Sequence, residues 1–298
     1  MDKTRPLVEW PTLGLLFACY AGWLLSIFWL SALWLPAGFV ATIVLIALHS
    51  SLTHELIHGH PFRSALANEI VGFPCLGLIV PYRRFMDLHL AHHRDSNLTD
   101  PYDDPESNYL DPRIWGDHAP WLQRVLMFNN TLLGRMLIGP AIGVVSFLRA
   151  DLKLLRDGDV AVTRAWALQV PSVALVLMIV WTSAMPLWLY LVAAYCGWGI
   201  IKIRTFLEHR AHERASGRTV IVEDRGILAF LFLNNNLHVV HHMHPKVAWY
   251  DLPALYQSNK TKYQDRNDGY VYRSYRDIFR QHFLRAKDPV PHPLWPRQ

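Results

Sequence analysis

Cysteine is scarce in this sequence, and its placement excludes two classes of site. The three cysteines are Cys19, Cys75 and Cys196. They are far apart and lie in apolar stretches, so they form neither a CxxC metal knuckle nor a disulfide framework. We expect all three to be small buried side chains. The sequence also lacks a haem-attachment motif, a flavin or nicotinamide glycine fingerprint and an iron–sulfur cysteine set, which excludes these cofactors.

Apolar residues dominate the composition. They make up 52% of the 298 residues, and 12 of the residues are Trp. This composition favours a bilayer as the solvent. The formal net charge is +5, but the basic residues lie between apolar blocks. We therefore expect contact with a membrane surface and no binding of nucleic acid.

Four segments are long enough to cross about 30 Å of hydrocarbon as helices. They are approximately residues 12–35, 36–56, 165–185 and 186–206. A short uncharged turn joins each neighbouring pair, one near Pro36 and one near Pro186. The sequence therefore predicts an all-α membrane protein with two transmembrane helical hairpins (four spans), interfacial helices and a histidine-rich cytoplasmic cap.

The positions of Lys and Arg predict the orientation. Both hairpin turns lack these residues, and the opposite ends carry Lys3, Arg5, Arg63, Arg83, Arg84, Arg149, Lys153, Arg156 and Arg164. By the positive-inside rule, the turns face outward and both termini face the cytoplasm. We expect the inner membrane of a bacterium as the location.

Two shorter apolar stretches, residues 70–81 and 131–148, complete the predicted architecture. A full crossing by either would place neighbouring histidine clusters on opposite sides of the membrane, so we expect re-entrant or interfacial helices. The whole chain, residues 1–298, is predicted to be one domain. Residues 257–298 are basic and rich in Tyr, and we expect them to form a polar cytoplasmic tail.

Twelve of the sixteen histidines fall in four short clusters. The clusters are His54, His58 and His60; His89, His92 and His93; His209 and His212; and His238, His241, His242 and His244. Residues three and four apart share a helix face, so within a cluster two or three imidazoles can point at one centre. Several imidazoles at a membrane boundary predict a metal.

The number of histidines predicts more than one ion. Two HxxHH triads and an HxxxH pair supply more ligands than the roughly six that one ion accepts, so two ions fit better. Imidazole suits Zn, Cu, Fe or Ni, and the spacing leaves the element open. A ligating imidazole usually donates its second N–H to a neighbouring group. Among the nearby acids, Asp104 and Glu208 are the preferred candidates.

These motifs resemble the three histidine boxes of membrane fatty acid desaturases. The three boxes are HELIHGH at residues 54–60, HLAHH at 89–93 and HVVHH at 238–242. Three further segments also match: DDPES at 103–107, RTFLEH at 204–209 and HHMHPKVAWYDLP at 241–253. Their order and spacing agree over about residues 50–255. Relatives often have a proline at the position of Ala248. This difference concerns the geometry of the local loop more than the chemistry.

The resemblance implies a centre of two Fe ions that uses O2 as cosubstrate. It implies a lipid or acyl substrate and a separate electron donor, ferredoxin-like or cytochrome-like. The implied metal ligands are His54, His58, His89, His92, His93, His209, His238, His241 and His242. Asn236, two residues before the third box, is implied as a support for a ligand or a water. His60, His212 and His244 lie outside the box pattern.

Other functions remain open from the sequence. HELIH also matches the HExxH helix of an intramembrane zinc protease, although this explains only His54 and His58. A metal sensor or transporter would place its ligands midway along the helices. Within the oxygenase class we favour fatty acyl desaturation, and the alternative is a hydroxylase or ketolase of an acyl lipid, a carotenoid or a smaller substrate.

Overall fold

The computed structural model describes residues 7–94 and 98–295, which form two compact units. Unit 1 comprises residues 7–86 and 142–200, and unit 2 comprises the rest of the described chain. Lys3, Arg5 and both chain ends lie outside the described residues, so the predicted cytoplasmic termini stay a prediction. The prediction of one domain over 1–298 stays a prediction as well.

The described chain is mainly helical. The helices up to residue 205 are α1 (Trp10–Leu33, with a π-helical turn at Ser26–Leu30), α2 (Leu35–Ile57), α3 (Ala65–Val71), α4 (Tyr82–Arg94), α5 (Pro112–Asp117), α6 (Pro120–Asn129), α7 (Leu132–Leu137), α8 (Gly139–Arg156), α9 (Val160–Trp181) and α10 (Leu187–Thr205). A 3₁₀ turn at Ala215–Arg218 and the smaller elements follow: β1 (Ile221–Val222), α11 (Ile227–Leu231), α12 (His238–Met243), α13 (Leu252–Ser258), α14 (Lys260–Arg266), β2 (Val271–Tyr272) and α15 (Tyr275–His282).

Four helices of the described chain, α1, α2, α9 and α10, are long and apolar enough to cross a membrane. This confirms the predicted all-α membrane fold. The third span begins at Val160, five residues before its predicted start. Arg164 ends the apolar run there, but the helix continues back to Asp159, whose side chain accepts a hydrogen bond from the Val162 N–H at 3.0 Å and caps the first turn.

The first hairpin turns at a single extended residue. Trp34 has φ −155° and ψ 98°, and Pro36 follows within the first turn of α2, where a missing N–H costs no helical hydrogen bond. Gly38 then allows α2 to approach α1, because a Cβ at this position would lie 2.2 Å from the Ser31 hydroxyl. The helices of unit 1 share a core that includes Ile27, Ile46, Val176, Tyr190 and Ala193.

Segment 70–81, predicted to be a re-entrant or interfacial helix, is mostly an irregular loop. Helix α3 ends at Val71, and residues 72–81 contain two glycines and two prolines, which disfavour helix. Side chains of the long helices bind the loop backbone. Tyr190, Trp198 and Gln169 donate to the carbonyls of Leu76 (2.9 Å), Gly77 (3.0 Å) and Leu78 (2.9 Å), respectively. The hydroxyl of Ser172 accepts from the Cys75 N–H at 3.0 Å. Irregular backbone beside membrane helices is thereby satisfied.

The second short stretch, 131–148, is interrupted. Helices α7 and α8 meet at Ile138, just before Gly139 and Pro140. Neither helix is among the four that are long and apolar enough to span a bilayer. The interruption follows from Pro140, which lacks an N–H and whose ring clashes with the carbonyl four residues earlier, so helix α7 does not continue through it.

Unit 2 has a small core around a two-stranded parallel sheet. Ile221 pairs with Val271, and Val222 pairs with Tyr272. The core beside β1 includes Val240 and Tyr256. Residues after Gln257, predicted as a tail, therefore include a strand and helices that pack within unit 2. Their cytoplasmic location stays a prediction.

All three cysteines are free thiols. Cys19 is buried, as predicted, whereas Cys75 and Cys196 are half-buried. Cys196 lies on the membrane-spanning helix α10. Its small apolar side chain can be exposed there because the surrounding solvent is lipid.

Candidate metal centre

Helix α4 divides its histidines between two directions. His89 and His93 are four residues apart and their Nε2 atoms lie 3.0 Å from each other. His92 points elsewhere, because adjacent residues on a helix are about 100° apart around the axis. Helix α12 does the same with His238 and His242, whose Nε2 atoms are 3.1 Å apart, while His241 is directed away.

Four histidines of unit 2 converge on one point, and we call them the 92 cluster: His92, His209, His238 and His242. The Nε2 atom of His209 lies 2.9 Å from that of His92 and 3.3 Å from that of His238. One ligand atom from each ring lies within 4.8 Å of the others. Nitrogen atoms at this spacing can surround a single ion at metal–ligand distances of about 2 Å.

The opposite ring nitrogens decide what the 92 cluster can hold. The Nδ1 of His92 lies 2.8 Å from Asp104, and a carboxylate can only accept, so Nδ1 carries the proton. The Nδ1 of His238 lies 3.0 Å from the side-chain oxygen of Asn235. A neutral imidazole with a protonated Nδ1 presents a lone pair at Nε2. Ring nitrogens that converge at these distances can hold a cation between them, and the donor set fits a divalent metal.

A second group in unit 2, the 89 cluster, contains His89, His93 and His241. The Nε2 of His241 lies 3.0 Å from that of His93. Glu106 accepts from the Nδ1 of His89 at 2.8 Å, so this ring also directs a lone pair at its neighbours. Three imidazoles are enough for the protein share of a metal site that keeps open positions.

His54 and His58 belong to unit 1. They lie at the end of α2, four residues apart, and their ring centroids are 4.7 Å from each other. Nδ1 of His54 lies 3.7 Å from Glu55. The pair shares one helix face, as its spacing predicts.

The geometry shows how each HxxHH triad is used. Two histidines of each triad point at one centre, and the third points at the other. His92 joins the 92 cluster while His89 and His93 join the 89 cluster, and His241 leaves His238 and His242. The reason is the helical angle, since residues four apart differ by about 40° and adjacent ones by about 100°.

The supporting residues partly match those proposed from sequence. Asp104 is buried and binds His92, and it also accepts from the backbone N–H groups of Thr99 (2.8 Å) and Glu106 (2.9 Å). Glu208 is also buried. It lies 3.9 Å from Nδ1 of His238 and forms an ion pair of 2.9 Å with Arg204.

Asn235 contacts a histidine of the 92 cluster, and the supporting role of Asn236 stays a prediction. Asn236 donates to the backbone carbonyls of Val222 (2.6 Å) and Asp224 (3.1 Å), away from the rings. Its neighbour Asn235 contacts His238 instead. Sequence reasoning missed Asn235, which is three residues before His238 in the NNN run, and it missed Glu106, which lies within the DDPES segment already singled out.

Burial keeps most of the 92 cluster uncharged. It lowers the pKa of His209, His238 and His242 well below the usual value, and the neighbouring histidines lower it further. His92 differs. Burial alone would lower its pKa, but the carboxylates of Glu106 and Asp104 outweigh that effect and raise the pKa to about 9. Neutral imidazole is the form that binds metal, so three rings are prepared for ligation at neutral pH.

The histidines outside the box pattern have other contacts. Nδ1 of His60 lies 2.6 Å from Glu9, in unit 1. His212 forms an ion pair of 3.2 Å with Asp268, and the His244 ring packs on Tyr263. None of the three belongs to a histidine group of the described residues that could hold a metal.

These features define an integral membrane protein with histidine clusters able to hold metal. The sequence model of the family described as fatty acid desaturase matches residues 27–274. The chain belongs to the fatty acid desaturase family, which makes it an oxidoreductase. No curated protein and no solved structure matches the chain.

Proposed function

We propose that the protein is a di-iron oxidoreductase that desaturates a fatty acyl chain with O2. The observation that carries the proposal is the convergence of the four Nε2 atoms of the 92 cluster, with Nδ1 of His92 and His238 held by Asp104 and Asn235. The proposed ligands of the two irons are His54, His58, His89, His92, His93, His209, His238, His241 and His242.

The metal is needed because of the bond that reacts. Breaking an unactivated C–H bond requires an oxidant that no side chain provides, and two bound irons would supply O2 activation. The overall reaction converts CH2–CH2, O2, two electrons and two protons into CH=CH and two waters. The residues of the chain hold the rings: Asp104, Asn235 and Glu106 fix tautomers and orientations.

A lipid substrate is supported by the family and by the four apolar helices. The two electrons would come from a separate ferredoxin-like or cytochrome-like protein, since the sequence has no motif for an electron-carrying cofactor. A basic chain with a net charge of +5 suits an acidic donor. We place the clusters and both termini in the cytoplasm of a bacterium, with the spans in its inner membrane.

The test uses the full chain purified in detergent. Two irons per chain, with O2 consumption that depends on a reductase system and an acyl lipid, would support the proposal. One zinc per chain would favour the protease. Mass spectrometry then identifies the reaction, because desaturation removes two hydrogens from the lipid and hydroxylation adds one oxygen.

The product decides between the two oxygenase outcomes. A product that has gained oxygen, either an alcohol or a ketone, and that lacks a new C=C bond would overturn desaturation and leave the di-iron assignment intact. A chain that binds iron and turns over no acyl lipid would direct the search to carotenoids and smaller substrates. The H212A variant is a suitable control, because His212 lies outside both clusters.

A further inference from the structure

Helix α8 carries an exposed apolar stripe. Val145, Leu148 and Leu152 are 46%, 41% and 46% exposed. Their spacings of three and four residues place them on one helix face. Exposed apolar residues aligned in this way mark a surface that contacts something other than water.

Basic side chains flank this stripe on one side. Arg149, Lys153 and Arg156 are exposed. Arg149 lies four residues after Val145, Lys153 four after Arg149, and Arg156 four after Leu152. At 100° per residue, the three cations lie about 50° to 110° from the middle of the stripe. Asp157, at the end of the helix, is exposed as well. The surface therefore keeps an excess of positive charge beside its apolar face.

The flank of α8 on the other side of the stripe from the cations is fixed to the rest of unit 1. Asp151 is 1% exposed and forms an ion pair with Arg84, with Nη2 and Oδ1 2.7 Å apart. The Trp166 indole donates to the other oxygen of Asp151 at 2.8 Å, and the ring of Phe147 lies 6.0 Å from that of Trp166. A buried, multiply bonded carboxylate sets the rotation of α8, so the stripe faces outward.

The depth of α8 follows from what holds it. Trp166 lies in the second turn of α9, which is one of the membrane spans. The two helices are joined by residues 157–159, where Gly158 has φ +81°. A short turn and contacts to the first turns of α9 place α8 at the membrane boundary, alongside the end where that span begins. At this depth, acyl chains meet the apolar stripe and headgroups meet the cations.

We propose that this face of α8 binds anionic phospholipids of the leaflet in which α9 begins. Leu148 and Leu152 contact the upper acyl chains, while Arg149, Lys153 and Arg156 bind the headgroup phosphates. Clusters of Lys and Arg beside a membrane helix attract anionic lipid, and the bidentate guanidinium adds geometric selectivity for phosphate. The proposal depends on the membrane fold and not on the reaction the protein catalyses.

The experiment uses the full chain in neutral detergent, with dioleoylphosphatidylglycerol or dioleoylphosphatidylcholine added. A ligand that binds the folded state raises Tm. We expect phosphatidylglycerol to raise Tm by about 3 °C or more above the effect of phosphatidylcholine. Replacing the three cations together (R149Q, K153Q and R156Q) should abolish most of this difference. The R149K/R156K variant should keep most of it.

A matched control removes the same charge elsewhere. Arg273, Arg276 and Arg280 are exposed in unit 2 around α15, and their triple Gln variant should keep the phosphatidylglycerol effect. Equal losses in both triple variants would show a general charge effect and overturn the proposal. So would an equal response to both lipids, or a response to glycerol phosphate as large as the response to the lipid. If the α8 triple variant does not fold, the three single Gln variants should each show a partial loss, and no loss in any of them would count against the site.

Discussion

His92 and His93 are adjacent on α4, yet they belong to different clusters. The Nε2 of His92 lies 2.9 Å from that of His209, whereas the Nε2 of His93 lies 3.0 Å from those of His89 and His241. One helix turn therefore serves two sites. The division allows two short motifs, HLAHH and HVVHH, to contribute to both clusters.

Replacing His92 by Ala should empty one site and spare the other. The 92 cluster would lose its one ligand from α4. We therefore expect the iron content to fall from two to about one per chain. Metal analysis of the purified variant measures this. H241A should give the same stoichiometry through the 89 cluster, and H212A should keep both irons. Full iron content in H92A would exclude His92 as a ligand.

Substitutions at the adjacent residues Asn235 and Asn236 should have different effects, the first on metal affinity and the second on thermal stability. N235A removes the acceptor of the His238 Nδ1–H, and we expect metal affinity to fall about 10-fold or more. N236A removes two hydrogen bonds to backbone carbonyls, so Tm should fall while affinity stays near that of the native chain. Competition with a chelator gives the affinity and thermal unfolding gives Tm. The reverse pattern would return the supporting role to Asn236.

Sequence reasoning reached the spans and the histidines for a physical reason. Hydropathy over about 20 residues and the three- and four-residue spacing of imidazoles are local patterns. Which cluster each part of a divided triad joins, and the choice of Asn235 over Asn236, depend on which neighbour each side chain meets in the folded chain. The irregular conformation of residues 72–81 could not be predicted from local patterns either. The Leu76, Gly77 and Leu78 carbonyls accept hydrogen bonds from residues about 90 to 120 positions away.

The loop at residues 72–81 should depend on its side-chain donors. Y190F removes the hydroxyl that donates to the Leu76 carbonyl and leaves a buried acceptor, at a cost of roughly 1–3 kcal/mol in unfolding free energy. Thermal unfolding in detergent should show a lower Tm. T182A is the control, because the hydroxyl of Thr182 bonds within its own helix end at an exposed site. An unchanged Tm in Y190F would mean that water replaces the hydroxyl.

Glu223 should make part of the stability of unit 2 dependent on pH. Its carboxylate accepts from Tyr256 (2.6 Å), Gln264 (3.2 Å) and Lys260 (2.7 Å). Partial burial raises the pKa of Glu223, but the hydrogen bonds from Lys260 and Tyr256 outweigh it and hold the pKa below the usual value. A carboxyl with a lower pKa in the folded state adds stability above its unfolded pKa, about 4.3, and loses it as the pH falls through the folded value.

The E223Q variant tests this pH dependence. At pH 7 its Tm should be lower than that of the native chain, because the ionised form is the one that Lys260 and Tyr256 stabilise. The difference should shrink as the pH falls below about 4.3, where the native carboxyl becomes protonated and resembles the amide. Thermal unfolding at a series of pH values measures both effects. D265N, at an exposed acid of α14, should show neither. A Tm difference for E223Q that stays constant with pH would assign the role of Glu223 to its shape rather than its charge.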